Sequence, residues 1–298
     1  MKLGVTLPLM DVMGDPATVR DLAQTAEELG YDYLGAPDHV LGVNAATRPD
    51  WGERNTSDDF FHDPFVLFGF LAACTTRVEL STQVLILPQR QTVLVAKQAA
   101  SVDVLSGGRL RLGVGIGWNE EEFVGLGESF ADRGRRSEEQ VRVMKALWAD
   151  QHVVLEGQWH RIDDVGINPR PVRGSIPLWF GGHRDVTLRR IARWGDGWIM
   201  LAHPLGETAR AEIAKLRGYV ARAGRDPDEV GVEVWTSTAR GGPDDWRREL
   251  LGWREVGATH ITLNGVHRGA HHTRIPGRTI ADHVSAMRRY RDAVADLL

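Results

Sequence analysis

Asp38 and His39, in the stretch APDHV, have the residue types needed for proton chemistry. Histidine titrates near neutrality, and a carboxylate beside it can fix its tautomer. A second cluster, GGHRD at 181–185, suits an anion. Gly181 and Gly182 let backbone N–H groups approach a ligand, His183 follows them, and Arg184 adds a two-pronged charge where a helix begins. A third feature is the glycine stripe Gly113, Gly115 and Gly117 in RLRLGVGIGW. It is not a dinucleotide fingerprint, because Trp118 stands where that pattern needs its last glycine, and no Gly-Lys-Ser/Thr follows to make a phosphate loop. His267, His271 and His272 in HRGAHH have no acidic or thiolate residue patterned with them, so no metal site is expected. Glu120, Glu121 and Glu122 read as a solvated helix start.

Strands and helices must alternate to position these groups. KLGVTLPL reads as a strand, and Asp15-Pro16 then caps a helix that sets Leu22, Ala26 and Leu29 on one face. YDYLGAPD is the next strand, followed by a long polar loop over 40–62. DPFVLFGFLAACTT reads as a buried helix, RVELSTQVLIL as a strand, and TVLVAKQAASVDVLSGG as a helix stopped by its glycine pair. After the glycine strand, Ser137 and Gln140 suggest a capping box, with Val141, Met144 and Trp148 turned inward. Residues 151–177 form an excursion with a hairpin around Gly157. PLWFGG, GDGWIML, VGVEVWTS and THITLN complete the strands. Helices lie between them, and one near 279–297 ends the chain.

Eight strands alternating with helices imply a parallel sheet. Their number and the chain length favour a closed (β/α)8 barrel over an open doubly wound sheet. The barrel is expected to carry insertions after strands two and four and before strand five, in a single domain over 1–298. Alternation along the glycine strand sends Leu110, Leu112, Val114 and Ile116 toward the helices, and Arg111 and the three glycines into the barrel. The glycines would then leave space at the mouth, or else admit a large neighbour such as Trp198 or Trp235. Glu79 and Glu233 are also expected inside. A buried charge is costly without a partner, so Arg111 should pair with one of them.

The chain has 298 residues, a formal net charge of −4 and one cysteine, Cys74. The charge argues against a nucleic-acid or anionic-membrane partner. The lone cysteine sits in an apolar stretch and fits a buried thiol in a reducing compartment. The opening residues lack a secretory pattern, and the most apolar window is shorter than the roughly 20 residues a bilayer requires. A cytoplasmic protein is expected.

The ordered set APDHV, ELSTQVLILPQRQTVLVAKQAASVDVLSGGRLRLGVGIGWNEEEF, PLWFGG and RWGDGW resembles the bacterial luciferase-like family of flavin- and deazaflavin-dependent barrel oxidoreductases. The ungapped GRLRLGVGIGW run is closer to its members that use the deazaflavin coenzyme F420. The resemblance implies a tricyclic ring at the barrel mouth against Thr82, Gln83, Val84, Gly115 and Gly117, with a non-prolyl cis peptide at Gln83-Val84. It puts the cofactor phosphate near Gly181, Gly182, His183 and Arg184. It makes His39 the proton partner, with Asp38 supporting it or bonding the ring, and Trp118 a wall of the substrate pocket. The implied activity is hydride transfer between the deazaflavin and a small organic substrate. The alternatives are an FMN-dependent two-component monooxygenase, fed by a separate reductase, and a non-catalytic flavin-binding protein. The family also implies a homodimer.

Overall fold

The computed structural model describes residues 1–12, 15–201, 203–267 and 271–298. The strands are β1 (Lys2–Thr6), β2 (Tyr33–Ala36), β3 (Glu79–Thr82), β4 (Leu85–Ile86), β5 (Leu110–Gly115), β6 (Val153–Glu156), β7 (Arg161–Val165), β8 (Leu178–Gly181), β9 (Gly197–Ile199), β10 (Gly231–Thr236) and β11 (His260–Leu263). The helices are α1 (Leu9–Val12), α2 (Pro16–Glu28), α3 (Pro64–Cys74), α4 (Thr92–Leu105), α5 (Glu120–Gly125), α6 (Arg133–Ala149), α7 (Asp185–Trp194), α8 (Glu207–Arg222), α9 (Pro243–Glu255) and α10 (Ile280–Val294). Nine strands form one parallel sheet, ordered β3-β2-β1-β11-β10-β9-β8-β5-β4, and β3 also pairs with β5. β3 and β4 are two segments of one stave, so eight staves close into a barrel. Among the described residues, no helix is long and apolar enough to cross a membrane.

Local signals set most boundaries. Asp15 caps α2 through the Thr18 N–H, and Asp63 caps α3 through the N–H groups of Phe65 and Val66. Each cap is followed by proline, whose missing N–H costs nothing at that position. The 151–177 excursion contains the antiparallel hairpin β6–β7, as expected. The capping box expected at Ser137 and Gln140 is not formed. α6 starts earlier, after Asp132, and both residues lie inside it. Gln140 instead donates from Nε2 to the carbonyls of Leu87 and Arg90 and to Thr92 Oγ1, pinning the turn after β4. Cys74, expected to be buried, is half-buried.

The third stave carries one extra residue. Leu80 pairs with Leu110, but Leu85 pairs with Val114, so β3–β4 advances five residues while β5 advances four. This is the count of a bulge, which breaks the in–out alternation. The cis peptide Gln83-Val84 lies within it, where the family resemblance had put it. Gln83 and Val84 consequently both point into the barrel, in opposite directions along its axis. Gln83 reaches the floor, where Oε1 accepts from Thr6 Oγ1 at 2.8 Å and Nε2 donates to Glu233 Oε1 at 2.5 Å. Val84 fills the mouth end. A Cβ on Gly115 would lie 2.6 Å from Val84, one on Gly113 2.1 Å from the Thr82 carbonyl, and one on Gly117 2.7 Å from Ile86. The glycine stripe therefore does not leave space. It admits the bulged neighbouring stave, and Trp198, one of the suggested occupants, donates its indole N–H to the Gly182 carbonyl.

The floor is a buried ion pair. Arg111 Nη1 and Glu233 Oε2 lie 2.7 Å apart with side-chain exposures of 4% and 0%. No N–H lies along that line, so the contact is chiefly coulombic. The guanidinium lies against the rings of Tyr33 and Trp179, 4.3 and 4.5 Å from their centroids. Glu233 Oε1 also accepts from Thr262 Oγ1 at 2.8 Å. Burial is the largest influence and opposes the Arg111 charge, but Glu233 together with Tyr33 and Glu79 outweighs it and raises the arginine pKa. Glu79, the other expected partner, pairs instead with Lys2 at the barrel's outer end. Removing one charge strands the other. Arg111→Met or Glu233→Gln should therefore lower unfolding free energy by about 3–5 kcal/mol, read as a shift of the urea midpoint at unchanged slope.

Candidate active site

Asp38 and His39 follow β2 at the C-terminal end of the barrel, and their side chains diverge. Asp38 is 2% exposed and turns to the third stave. Its carboxylate accepts from the Ile86 N–H at 2.9 Å and from Arg90 Nη2 at 2.7 Å. Arg90 Nη1 also reaches the Asp63 carboxylate at 2.8 Å, so one guanidinium ties the end of β2 to the start of α3. Burial pushes the Asp38 carboxyl up, and Arg90 and the Ile86 amide offset part of that push. Both oxygens of Asp38 are engaged away from His39. The expectation that Asp38 supports His39 is thus corrected.

The carboxylate that holds His39 is Glu122. Its Oε1 lies 3.2 Å from His39 Nδ1 and accepts the Val40 N–H at 2.8 Å and the Leu41 N–H at 3.3 Å. Its Oε2 accepts from Gln89 Nε2 at 3.2 Å. The side chain is 1% exposed. Glu122 is therefore not part of a solvated helix start. Burial would raise its carboxyl, but the hydrogen bonds from His39, Gln89 and Val40 prevail and lower the pKa. An ionised Glu122 can only accept, so His39 Nδ1 carries a proton, and in the neutral imidazole Nε2 presents the lone pair. Among the described residues, Nε2 has no hydrogen-bond partner. Glu122 was legible only in part. Glu122 and Phe123 are the buried pair in the short α5, and the apolar Phe123 marks that inward face. Nothing in the sequence singled out Gln89 or Arg90.

The His39 ring touches Phe61 and Trp118, with centroids 4.9 and 5.8 Å away. Trp118, 44% exposed, leans on Trp51, whose other neighbour is the Arg54 guanidinium at 4.2 Å. The 40–62 segment thus folds over the mouth beside His39.

The remaining expected contacts divide. Thr82 is fully buried and donates from Oγ1 to the Gly113 carbonyl at 2.6 Å, and the Gln83 side chain points to the floor. Neither side chain faces the mouth, which corrects both as side-chain ligands of a cofactor. Val84 does face it, lying over Gly115 and Gly181. Gly182 adopts φ +110°, and His183 and Arg184 are exposed just before α7. Arg133 lies near. Burial lowers its pKa, and the Arg184 charge lowers it further. Its Nε donates to the Gly117 carbonyl at 3.2 Å. Arg133 is thus held beside the glycine stripe and feels the charge of Arg184, which stands exposed before the N-terminus of α7, a place that suits an anion.

A family model described as luciferase-like monooxygenase matches residues 3–290. The chain belongs to that family. A protein of Mycobacterium tuberculosis described as uncharacterized is 30% identical to this luciferase-like chain over 256 residues, 83% of this chain and 87% of its own. An FMNH2-dependent dimethylsulfone monooxygenase of Pseudomonas putida is 28% identical over 220 residues, 72% of this chain and 56% of its own. A solved F420-dependent secondary alcohol dehydrogenase, in complex with an F420–acetone adduct, superposes with a TM-score of 0.80 at 17% identity, over 100% of this chain and 99% of its own. Members of the luciferase-like family are oxidoreductases; the dehydrogenase is named for dependence on F420 and the Pseudomonas monooxygenase for dependence on reduced FMN.

Glu122 anchors both His39 and the start of the 40–62 segment. Glu122→Ala should destabilise the fold by about 1–3 kcal/mol, the cost of leaving buried donors unpaired. Because the folded pKa is depressed, the stabilisation tied to its ionisation is present above the unfolded value of 4.5 and is lost as pH falls through the folded one. Denaturation curves at pH 7 and near pH 3 check this, and the difference from wild type should shrink in acid.

Proposed function

We propose that this chain is an F420-dependent oxidoreductase that moves a hydride between the deazaflavin and a small organic substrate. The observation that carries the reading is the His39 imidazole, held at Nδ1 by the buried Glu122 and turned with a bare Nε2 to the mouth. The structure fits a phosphate-bearing flavin-type group on two further counts. Arg184 stands exposed at the start of α7 with the Arg133 charge in its range, and Gly182 has the backbone freedom for close approach. Arg184, Arg133, His183 and the Gly181–Gly182 backbone would hold the phosphate, and Val84, Gly115 and Gly117 would lie under the ring.

A bound deazaflavin supplies the hydride donor or acceptor. The chain supplies the proton partner. When the substrate loses a hydride from carbon and a proton from oxygen, His39 takes that proton at Nε2, and the imidazolium is stabilised by Glu122 at Nδ1. In the reverse direction the same nitrogen returns the proton. Gln89 and the Val40 N–H hold Glu122 in place, and Trp118 and Phe61 keep water from the flanks of the imidazole. Asp38 acts at a distance by fixing Arg90 and the turn after β4. The reading includes a homodimer, with Val66 and Phe70 on the apolar α3, 71% and 39% exposed, as candidate contacts.

The second reading, an FMN-dependent monooxygenase served by a separate reductase, is favoured by the Pseudomonas relative. Titrating the apoprotein with F420 and with FMN decides between them. F420 should bind in the micromolar range, and binding of FMN alone would reverse the assignment. Arg184→Ala should weaken F420 binding and flatten its salt dependence. His39→Ala should lower turnover by roughly 100-fold or more with much less effect on cofactor affinity. Normal turnover in that variant would remove His39 from the chemistry.

A further inference from the structure

A cavity lies across the mouth from His39 and the anion site. It occupies ≈ 580 Å³ over the C-terminal ends of β9 and β10 and the segment after β11, and runs outward to α9. That is the size of a small-molecule pocket. In the closed strand order, β10 and β11 stand across the mouth from β3 and β5. Glu233 points inward, so Trp235, two residues on, does so nearer the mouth. Its ring meets those of His267 and His272 at 4.9 and 5.7 Å. Met200, Trp246 and Trp253 complete the apolar lining.

We infer that this cavity receives an uncharged aromatic molecule carrying one hydrogen-bond acceptor, and that it is the substrate end of the site. The second clause rests on the oxidoreductase reading above; the first does not.

Three observations support the chemistry. The wall is aromatic, which suits a planar guest. It also has donors to spare. Trp246 donates its indole N–H to the Arg240 carbonyl at 2.9 Å, but among the described residues the N–H groups of Trp235 and Trp253 have no hydrogen-bond partner. Trp253 is 3% exposed and lies by the Glu249 carboxyl without pointing along it. A buried donor without an acceptor is unfavourable, and a carbonyl or hydroxyl oxygen of the guest relieves it. The wall is also neutral. Burial lowers the pKa of His272, and the partial desolvation of His267 against the wall lowers that of His267 too, although His267 and His271 are exposed at the rim. His272 Nε2 is engaged with the Asn264 carbonyl at 2.9 Å. Burial raises Glu249, which accepts from Thr236 Oγ1 at 2.8 Å. Asp245 is tied to the Gly242 N–H and to Arg248, and the Arg240 side chain lies exposed at the outer rim. Among the described residues the one cation of the lining, Arg240, is at the outer rim, so a carboxylate or phosphate deep inside would lose its hydration without a paired charge, and an ammonium has no acceptor to offer the unpaired indole N–H groups.

The test uses acetophenone as the neutral probe, benzoate as the anion and benzyltrimethylammonium as the cation. Each is titrated into the apoprotein and followed by tryptophan fluorescence and ligand-observed NMR. Acetophenone should bind at ~1 mM or tighter, a fair affinity for so few atoms, and both ions at least about tenfold more weakly. Trp235→Phe, which keeps a ring but removes the donor, should weaken acetophenone several-fold. Met200→Trp, which fills the cavity, should abolish binding while F420 affinity is retained. Tighter binding of either ion, or acetophenone binding untouched by both substitutions, would overturn the ligand class. Loss of acetophenone on saturation with F420 would overturn the substrate assignment alone. Failure of F420 to bind at all, with acetophenone behaving as expected, would sink the F420 reading and leave the ligand class standing.

Discussion

The arrangement of this barrel depends on one extra residue in its third stave. Without it, side chains there would alternate strictly, and Gln83 and Val84 would face opposite sides of the sheet. With it, both enter the barrel. Gln83 completes the polar network on Glu233 at the floor, and Val84 rises to the mouth against Gly115 and Gly181. The floor network keeps a buried arginine paired, while the mouth contact gives the proposed ring its backing. One backbone irregularity thus links the group that stabilises the barrel to the surface that would carry its chemistry. The glycines of β5 follow from the same cause, since a side chain on any of them would collide with the bulged stave.

Strand alternation also explains which parts of the site were legible. The eight staves, the inward face of β5 and the Arg111–Glu233 pair follow from period-two and period-3.6 patterning, which is local. The position of His39 at a strand end was local too. Its partner was not. Asp38 is adjacent in sequence, but adjacent residues leave a strand end in divergent directions, and the carboxylate that meets the imidazole arrives from a helix more than eighty residues away. Glu122 stands among three successive glutamates. Only the three-dimensional course of β5 and α5 turns that one inward and leaves Glu120 and Glu121 outside. The Gln140 contacts show a similar limit. A residue that fits a capping pattern lies mid-helix, because Leu87, Arg90 and Thr92 offered it stronger partners than its own helix end did.

The mouth has two chemically different sides. Near β3, β5 and α7 it offers backbone amides, arginines and an imidazole fixed by a carboxylate. Near β9–β11 it offers indoles and neutral histidines. A cofactor with a charged tail and a substrate without charge can occupy such a mouth together without competing for the same groups. The fold is shared with a solved protein named as an alcohol dehydrogenase, and the loops at the mouth are where such barrels differ.

The hydrogen bonds of Glu122 set a boundary along the segment that covers the mouth. The same carboxylate that orients His39 also grips the backbone of Val40 and Leu41, so the first residues after β2 are fixed in one unit with the proposed proton partner. Beyond Leu41, contact with His39 is made only by side chains such as Phe61. Gene duplication or laboratory grafting could thus exchange the segment after Leu41 for one of different length and composition and retain the reactive imidazole in register. A cut placed two residues earlier would carry the catalytic geometry away with the loop.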